Sequence, residues 1–273
     1  MRIDVLTLFP EALEPFFASS IIGRARQVGL VRIVCTNFRD FAAGKHRSVD
    51  DKPFGGGAGM VLMPGPIFAA VEHVEAQEPV PAARILLTPQ GQPLTQAMVR
   101  ELSRQERLVV ICGHYEGFDE RIRTGLQPRE ISIGDYVLSG GEAAAMVLVD
   151  AIVRLLPGAV GGEQTLDEES FNQHVLEYPQ YTRPRDFRGM LVPKVLVSGH
   201  HKNVTAWRRA ESLKRTWQRR PDLIRANPAL LEELRQVLRK EGLDEEQWPA
   251  AVCAPENTDT SKTLNQCTRV RKV

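Results

Sequence analysis

The chain has 273 residues, of which 42% are hydrophobic and 25% charged, and a formal net charge of +1. That balance excludes disordered and fibrous classes and leaves room for one large domain or two smaller ones around a substantial core. No apolar run reaches the ~18 residues needed to cross a bilayer, so no membrane role is expected. In chain order, residues 3–9 read as a strand, 10–27 as a helix and 31–38 as a second strand. Residues 39–59 are polar, glycine-rich and too irregular for either element. A helix at 64–77, a strand at 84–88 and a helix at 93–105 with proline in its first turn come next. Further strands at 107–111 and 130–133 precede a long apolar helix at 141–156. Strands alternating with helices predict a parallel sheet covered on both faces.

The strands end in unusual loops. Thr88-Pro89-Gln90-Gly91 follows one, Cys112-Gly113-His114-Tyr115-Glu116-Gly117-Phe118-Asp119-Glu120-Arg121 the next, and Ile133-Gly134-Asp135-Tyr136-Val137-Leu138-Ser139-Gly140-Gly141-Glu142 the third. Glycines there remove side chains where a backbone turns sharply or approaches something closely. Three such loops at the carboxyl edge of a parallel sheet predict one small-molecule pocket. Neither the dinucleotide fingerprint nor the phosphate loop ending in Gly-Lys-Ser/Thr is present, and Phe54-Gly55-Gly56-Gly57-Ala58-Gly59-Met60 follows no strand. Cys35, Cys112, Cys253 and Cys267 form no Cys-x-x-Cys pair, and the N-terminus lacks a signal-peptide pattern. The expected setting is reducing and cytoplasmic, with neither zinc site nor disulfide scaffold.

Residues 157–185 read as a linker rich in Gly, Pro, Glu and Gln, and a helical domain follows from about residue 203. Between 201 and 240 there are eleven Lys and Arg against four acids. Such an asymmetry suits a polyanionic partner, with a solvated helix surface as the alternative. Trp207 and Trp217 lie among these cations and read as packing residues rather than base stackers.

These loops, with Leu8-Phe9-Pro10, the run from Val49 to Met60, Tyr181-Thr182-Arg183-Pro184 and Arg215-Thr216-Trp217, resemble the bacterial tRNA (guanine-N1)-methyltransferases of the SPOUT class. The resemblance runs from residue 1 to about 220. It implies an α/β fold with a deep trefoil knot and a small all-α C-terminal domain. The implied parts are a catalytic domain at 1–160, a linker at 161–185, a tRNA-binding domain at 186–247 and a disordered tail at 248–273. It implies an obligate homodimer that methylates guanosine-37, just 3′ of the anticodon, from S-adenosylmethionine, and it allows a magnesium requirement. It makes the glycine-rich run at 54–60 a flexible wall near the pocket.

Carried over position by position, the cofactor would be held by Leu86, Leu87, Thr88, Pro89, Gly113, Tyr115, Glu116, Ser132, Ile133, Gly134, Tyr136, Leu138, Gly140 and Gly141. Exposed backbone amides and carbonyls suit the adenine edge, and Glu116 suits the ribose or amino group. Methylation at N1 requires the N1 proton to leave, a task for a carboxylate, and a cation near O6 to meet the developing charge. Arg154 falls on the cationic position. The base falls on Glu169, where the family has Asp before Ser-Phe, with Asp167 as a second candidate. Leu86, His114, Glu177 and Gln180 also depart from the family's usual Tyr, Arg, Asp and His. Two other readings stay open: methylation of a different RNA position, and a non-catalytic RNA-binding relative.

Overall fold

The middle of the sheet is made by strands with no exposed residue, because apolar side chains alternate to both faces. The computed structural model describes residues 1–161 and 169–242, in two compact units divided between Leu166 and Asp167. The first unit begins β1 (Arg2–Thr7), α1 (Pro10–Phe17), α2 (Ser20–Gln27), β2 (Arg32–Asn37). A small antiparallel pair, β3 (Asp50–Asp51) and β4 (Val61–Leu62), precedes α3 (Pro64–Ala76) and β5 (Ala83–Pro93). Then come α4 (Gln96–Leu102), β6 (Arg107–Cys112), α5 (Glu120–Leu126), β7 (Arg129–Ser132) and α6 (Glu142–Val153).

Five of these strands form a parallel sheet in the order β2-β1-β6-β5-β7. Ile3, Val5, Ile85, Leu87, Leu108 and Val110 face a core shared with α1, α2, α4 and α6. Leu6, Leu86, Val109 and Ile111 face a second core under α3 and α5. Side chains of period two therefore feed both layers, as a doubly covered parallel sheet requires.

The amino end of this sheet holds a buried ionic cluster. Arg107 donates to Asp4 Oδ2 from Nε and Nη2, each at 3.2 Å, while Arg2 donates to Asp4 Oδ1 at 2.7 Å. Arg107 also donates to the carbonyls of Val74, Glu75 and Glu78 at the end of α3. Val74 and Glu75 lie in the last turn of α3 and Glu78 just beyond it, so the guanidinium meets the negative end of the helix dipole.

Three departures from the sequence expectations matter for the site. The helix expected at 10–27 is two, α1 and α2, because the backbone turns between them, with Ser19 extended and Ser20 at φ of +50°; Gly23 makes room for the Ala18 carbonyl, where a Cβ would lie 2.2 Å from the oxygen. The strand expected at 84–88 continues to Pro93 after an excursion: Leu87 and Gln92 both pair with Ile131. Helix α5 has no counterpart in the sequence reading; Asp119 caps it by accepting the Arg121 N–H at 2.9 Å.

In the second unit, a short hairpin of β8 (Asp186–Phe187) and β9 (Met190–Leu191) precedes α7 (His201–Arg219), α8 (Pro221–Arg225) and α9 (Pro228–Lys240). The all-helical expectation thus missed this hairpin, whose four paired residues are exposed and carry no burial pattern. Leu213, Ile224, Leu230, Leu234 and Leu238 form the helical core, with Trp217 and Val175 packed into it. Part of the expected linker also packs here. Thr216 Oγ1 accepts the Leu176 N–H at 2.7 Å, and the Ser212 hydroxyl donates to the Leu176 carbonyl. The expected tail at 248–273 lies outside the described residues. No helix among the described residues is long and apolar enough to cross a membrane.

Candidate active site

The carboxyl ends of β5, β6 and β7 surround a cleft of about 870 Å³, open to solvent. Three loops wall it: the excursion of β5, the turn after β6, and the stretch between β7 and α6. Each is pinned to its neighbour by backbone rather than by bulky side chains. Gly141 donates its N–H to the Gly113 carbonyl at 2.8 Å, and His114 bridges Gly140 across the same junction. A Cβ on Gly141 would lie 2.7 Å from Cys112 Cα and 2.8 Å from Gly113 N. At this junction glycine is needed for close approach, since φ at Gly141 is an ordinary −78°.

The stretch after β7 folds on itself. The Gly134 N–H donates to Ser132 Oγ at 3.2 Å, and Tyr136 donates its hydroxyl proton to the Ile133 carbonyl at 3.2 Å. Gly134 has φ of +152°, and the Tyr136 ring covers the space where its Cβ would be. On the opposite wall, Arg123 from α5 donates to Glu130 on β7 at 2.9 Å and to Gln90 in the excursion at 3.2 Å.

Of the residues expected to hold a cofactor, Leu87, Thr88, Pro89, Gly113, Tyr115, Glu116, Ser132, Ile133, Gly134, Tyr136, Leu138, Gly140 and Gly141 all line this cleft. Leu86 does not. Its side chain is fully buried in the core under α3 and α5, because strand alternation sends it to the face opposite Leu87. The apolar wall from this strand is therefore Leu87. Sequence reasoning missed several further lining residues, among them Gln90, His114, Arg123 and Ala144. Arg123 was detectable in principle only by knowing that α5 exists.

Glu116 is exposed at the rim, and its backbone N–H donates to the Met60 carbonyl at 3.0 Å. Gly59, with φ of +80°, packs so tightly there that a Cβ would lie 2.3 Å from Glu116 Oε1. The glycine-rich run at 54–60 thus abuts the one carboxylate that sequence analysis aimed at a cofactor.

Burial pushes the Cys112 thiol well up, and the negative charge of Glu142 adds to the effect. Cys35 is pushed up to about 12, first by burial and then by Glu14. Burial disfavours the thiolate at both, and neither cysteine lines the cleft. Among the described residues no three His, Cys, Asp or Glu side chains gather as a metal-holding group.

Arg154 directly follows α6, its N–H donating to the Asp150 carbonyl at 3.2 Å. Glu169 opens the described part of the second unit, and its carbonyl accepts the Asn172 N–H at 3.3 Å. Around it, Ser170 Oγ accepts the Glu177 N–H at 3.0 Å, and Gln180 donates to the Glu177 carboxylate. Asp167 lies outside the described residues. The basic excess of α7 to α9 is partly spent within the unit: Arg209 pairs with Glu233, Lys214 with Glu211 and Glu241, and Arg220 with Asp222.

A parallel sheet with glycine loops converging on a cleft at its carboxyl edge is the α/β class whose members hold small molecules at that edge. Comparison with known proteins makes the class specific. The family model described as tRNA (guanine-1)-methyltransferase TrmD matches residues 1–226. A protein of Synechococcus sp. (strain JA-2-3B'a(2-13)) named tRNA (guanine-N(1)-)-methyltransferase is 53% identical, covering 90% of this chain and 96% of its own. Proteins with the same name from Moorella thermoacetica and Geobacillus kaustophilus are 52% and 55% identical, covering 89% and 88% of this chain and 98% of each of theirs. The chain belongs to the tRNA (guanine-1)-methyltransferase family, a family of enzymes.

Proposed function

We propose that this protein transfers a methyl group from S-adenosylmethionine to N1 of guanosine in tRNA, at position 37 beside the anticodon, and so protects the reading frame. The observation that carries the reading is the glycine-walled cleft in a chain whose relatives bear that enzyme name. The residues present fit the cofactor. Leu87, Ile133 and Leu138 offer apolar faces for adenine, the backbone near Gly113 and Gly140 offers hydrogen bonds, and Glu116 offers a carboxylate for a cation or ribose. When bound, S-adenosylmethionine supplies an electrophilic methyl group.

Neutral guanine has a proton on N1 and no in-plane lone pair there, so a base must remove that proton. Glu169 takes it, with Asp167 as the alternative carboxylate. Arg154 donates to O6, where negative charge develops as the proton leaves. The protein acts as a homodimer in which Arg154 and Glu169 come from different subunits, and the helical second unit grips the tRNA phosphates. That grip weakens with salt. By membership of the family, the loops at 86–91, 113–117 and 132–141 form a deep trefoil knot, and residues of all three line the cleft.

The test is methyl transfer from labelled S-adenosylmethionine to an unmodified tRNA transcript with guanosine 3′ of the anticodon, beside one with adenosine there. Guanosine-dependent 1-methylguanosine is expected; no product despite calorimetric cofactor binding would overturn the reading. Glu169→Gln should lower kcat by about 10²-fold or more. Near-full turnover in that variant would move the base to Asp167.

A further inference from the structure

One polar atom at the cleft is unexplained by the proposed chemistry. His114 lines the cleft, yet its Nδ1 is buried and has no hydrogen-bond partner among the described residues. Its ring is held by Phe9, with centroids 5.2 Å apart, and by Tyr115, 4.8 Å away and edge-on. Buried polar groups without partners are rare enough that each calls for a reason.

Glu142, in the first turn of α6, supplies one. Its Oε1 accepts the Thr7 hydroxyl proton at 2.6 Å, and Thr7 Oγ1 accepts the Phe9 N–H at 3.0 Å. That fixes one carboxylate oxygen from the fully buried end of β1. The other oxygen, Oε2, and His114 Nδ1 both press on Gly140: a Cβ there would lie 2.3 Å from Oε2 and 2.8 Å from Nδ1. The glycine therefore lets a carboxylate oxygen and an imidazole nitrogen face the same small space. No hydrogen bond or ion pair joins the two groups, but the negative charge beside Gly140 favours N–H over a lone pair at Nδ1.

We propose that Thr7 and Glu142 are positioning residues that hold His114 as its Nδ1–H tautomer, leaving Nε2 as an acceptor for an N–H of the ligand in the cleft. The ligand's identity rests on the methyltransferase reading, under which two sources of such a donor exist: the amino group of the cofactor and the amino or imino group of the guanine. Aspects of the arrangement independent of that reading are the tautomer and its dependence on Glu142. A glutamine at 142 would keep the Thr7 bond and turn an amide N–H toward Nδ1, reversing the preference.

Long-range proton–nitrogen NMR of the full chain reads the tautomer directly, with a His114→Gln sample to assign the resonance. The wild type should show Nδ1–H, and Glu142→Gln should show Nε2–H. In His114→Ala, a rise of about tenfold in the Kd for S-adenosylmethionine would identify the cofactor as donor. An unchanged Kd with single-turnover methyl transfer about tenfold slower would identify the base. His114→Gln, which returns a carbonyl acceptor near Nε2, should recover most of the loss. An Nε2–H tautomer in the wild type overturns the proposal, as does a His114→Ala protein whose Kd and rate both stay within about twofold. A wild-type protein that transfers no methyl group would sink the methyltransferase reading, while the tautomer would still decide this one.

Discussion

The two ends of β1 and β6 are built on opposite plans. At the amino end the space is filled with charge: Arg107 is 1% exposed, Asp4 is fully buried, and the Arg107 guanidinium meets Asp4 and the carbonyls of Val74, Glu75 and Glu78. At the carboxyl end the space is emptied by Gly113, Gly140 and Gly141, and a histidine nitrogen is left without a partner. One end spends its polar groups on one another and gains rigidity. The other leaves an open cleft walled by backbone, as a ligand site must.

Substitutions can sharpen or break that contrast. Asp4→Ala should have the largest effect, because it strands two buried guanidinium groups; a loss of about 3–5 kcal/mol is expected in denaturant unfolding. The folded fraction should still bind S-adenosylmethionine within about twofold of the wild-type Kd. If cofactor affinity fell with stability, the two ends would not be separable. Gly141→Ala is the counterpart at the cleft. Its backbone angles suit alanine, so the cost is steric, about 1–3 kcal/mol, and calorimetry should show cofactor affinity falling by about tenfold or more.

The smallest effect is at the rim of the ionic cluster. A hydrogen bond from Arg2 holds the Glu78 carboxyl below its usual range. Its contribution to stability is therefore complete above the ordinary carboxylate range and is lost as pH falls through the lowered native value. Glu78→Gln should lower the thermal midpoint slightly at neutral pH and converge on the wild type as pH falls, which flattens that part of the acid limb in a pH series of thermal unfolding.

The succession of strand-like and helix-like runs made the doubly covered sheet legible from sequence, and the glycine loops made the cleft legible. Pairings across long separations were not. Asp4 and Arg107 stand 103 residues apart, and no local pattern connects them. Helix α5 was hidden because its seven residues bury only Ile122 and Leu126, too few to show a period. Leu86 was assigned to the cleft by position, although its place in a strand between Ile85 and Leu87 already sent it to the other face. The pairing of Glu142 with Thr7 depends on α6 returning to the end of β1, which only the fold reveals.

The excursion of β5 sets a dimension as well as a wall. It departs from Ile131 at Leu87 and meets it again at Gln92, with Gly91 seated on the Ile131 backbone. A strap anchored at both feet on one residue has no slack. Inserting or deleting a residue within 88–91 would either lift a foot or turn Gln92 and Pro93 to opposite faces. Gly91 admits no side chain, since a Cβ there would lie 2.4 Å from Ile131 N, and the number of residues is fixed as well, so the width of the cleft is gauged by chain length itself.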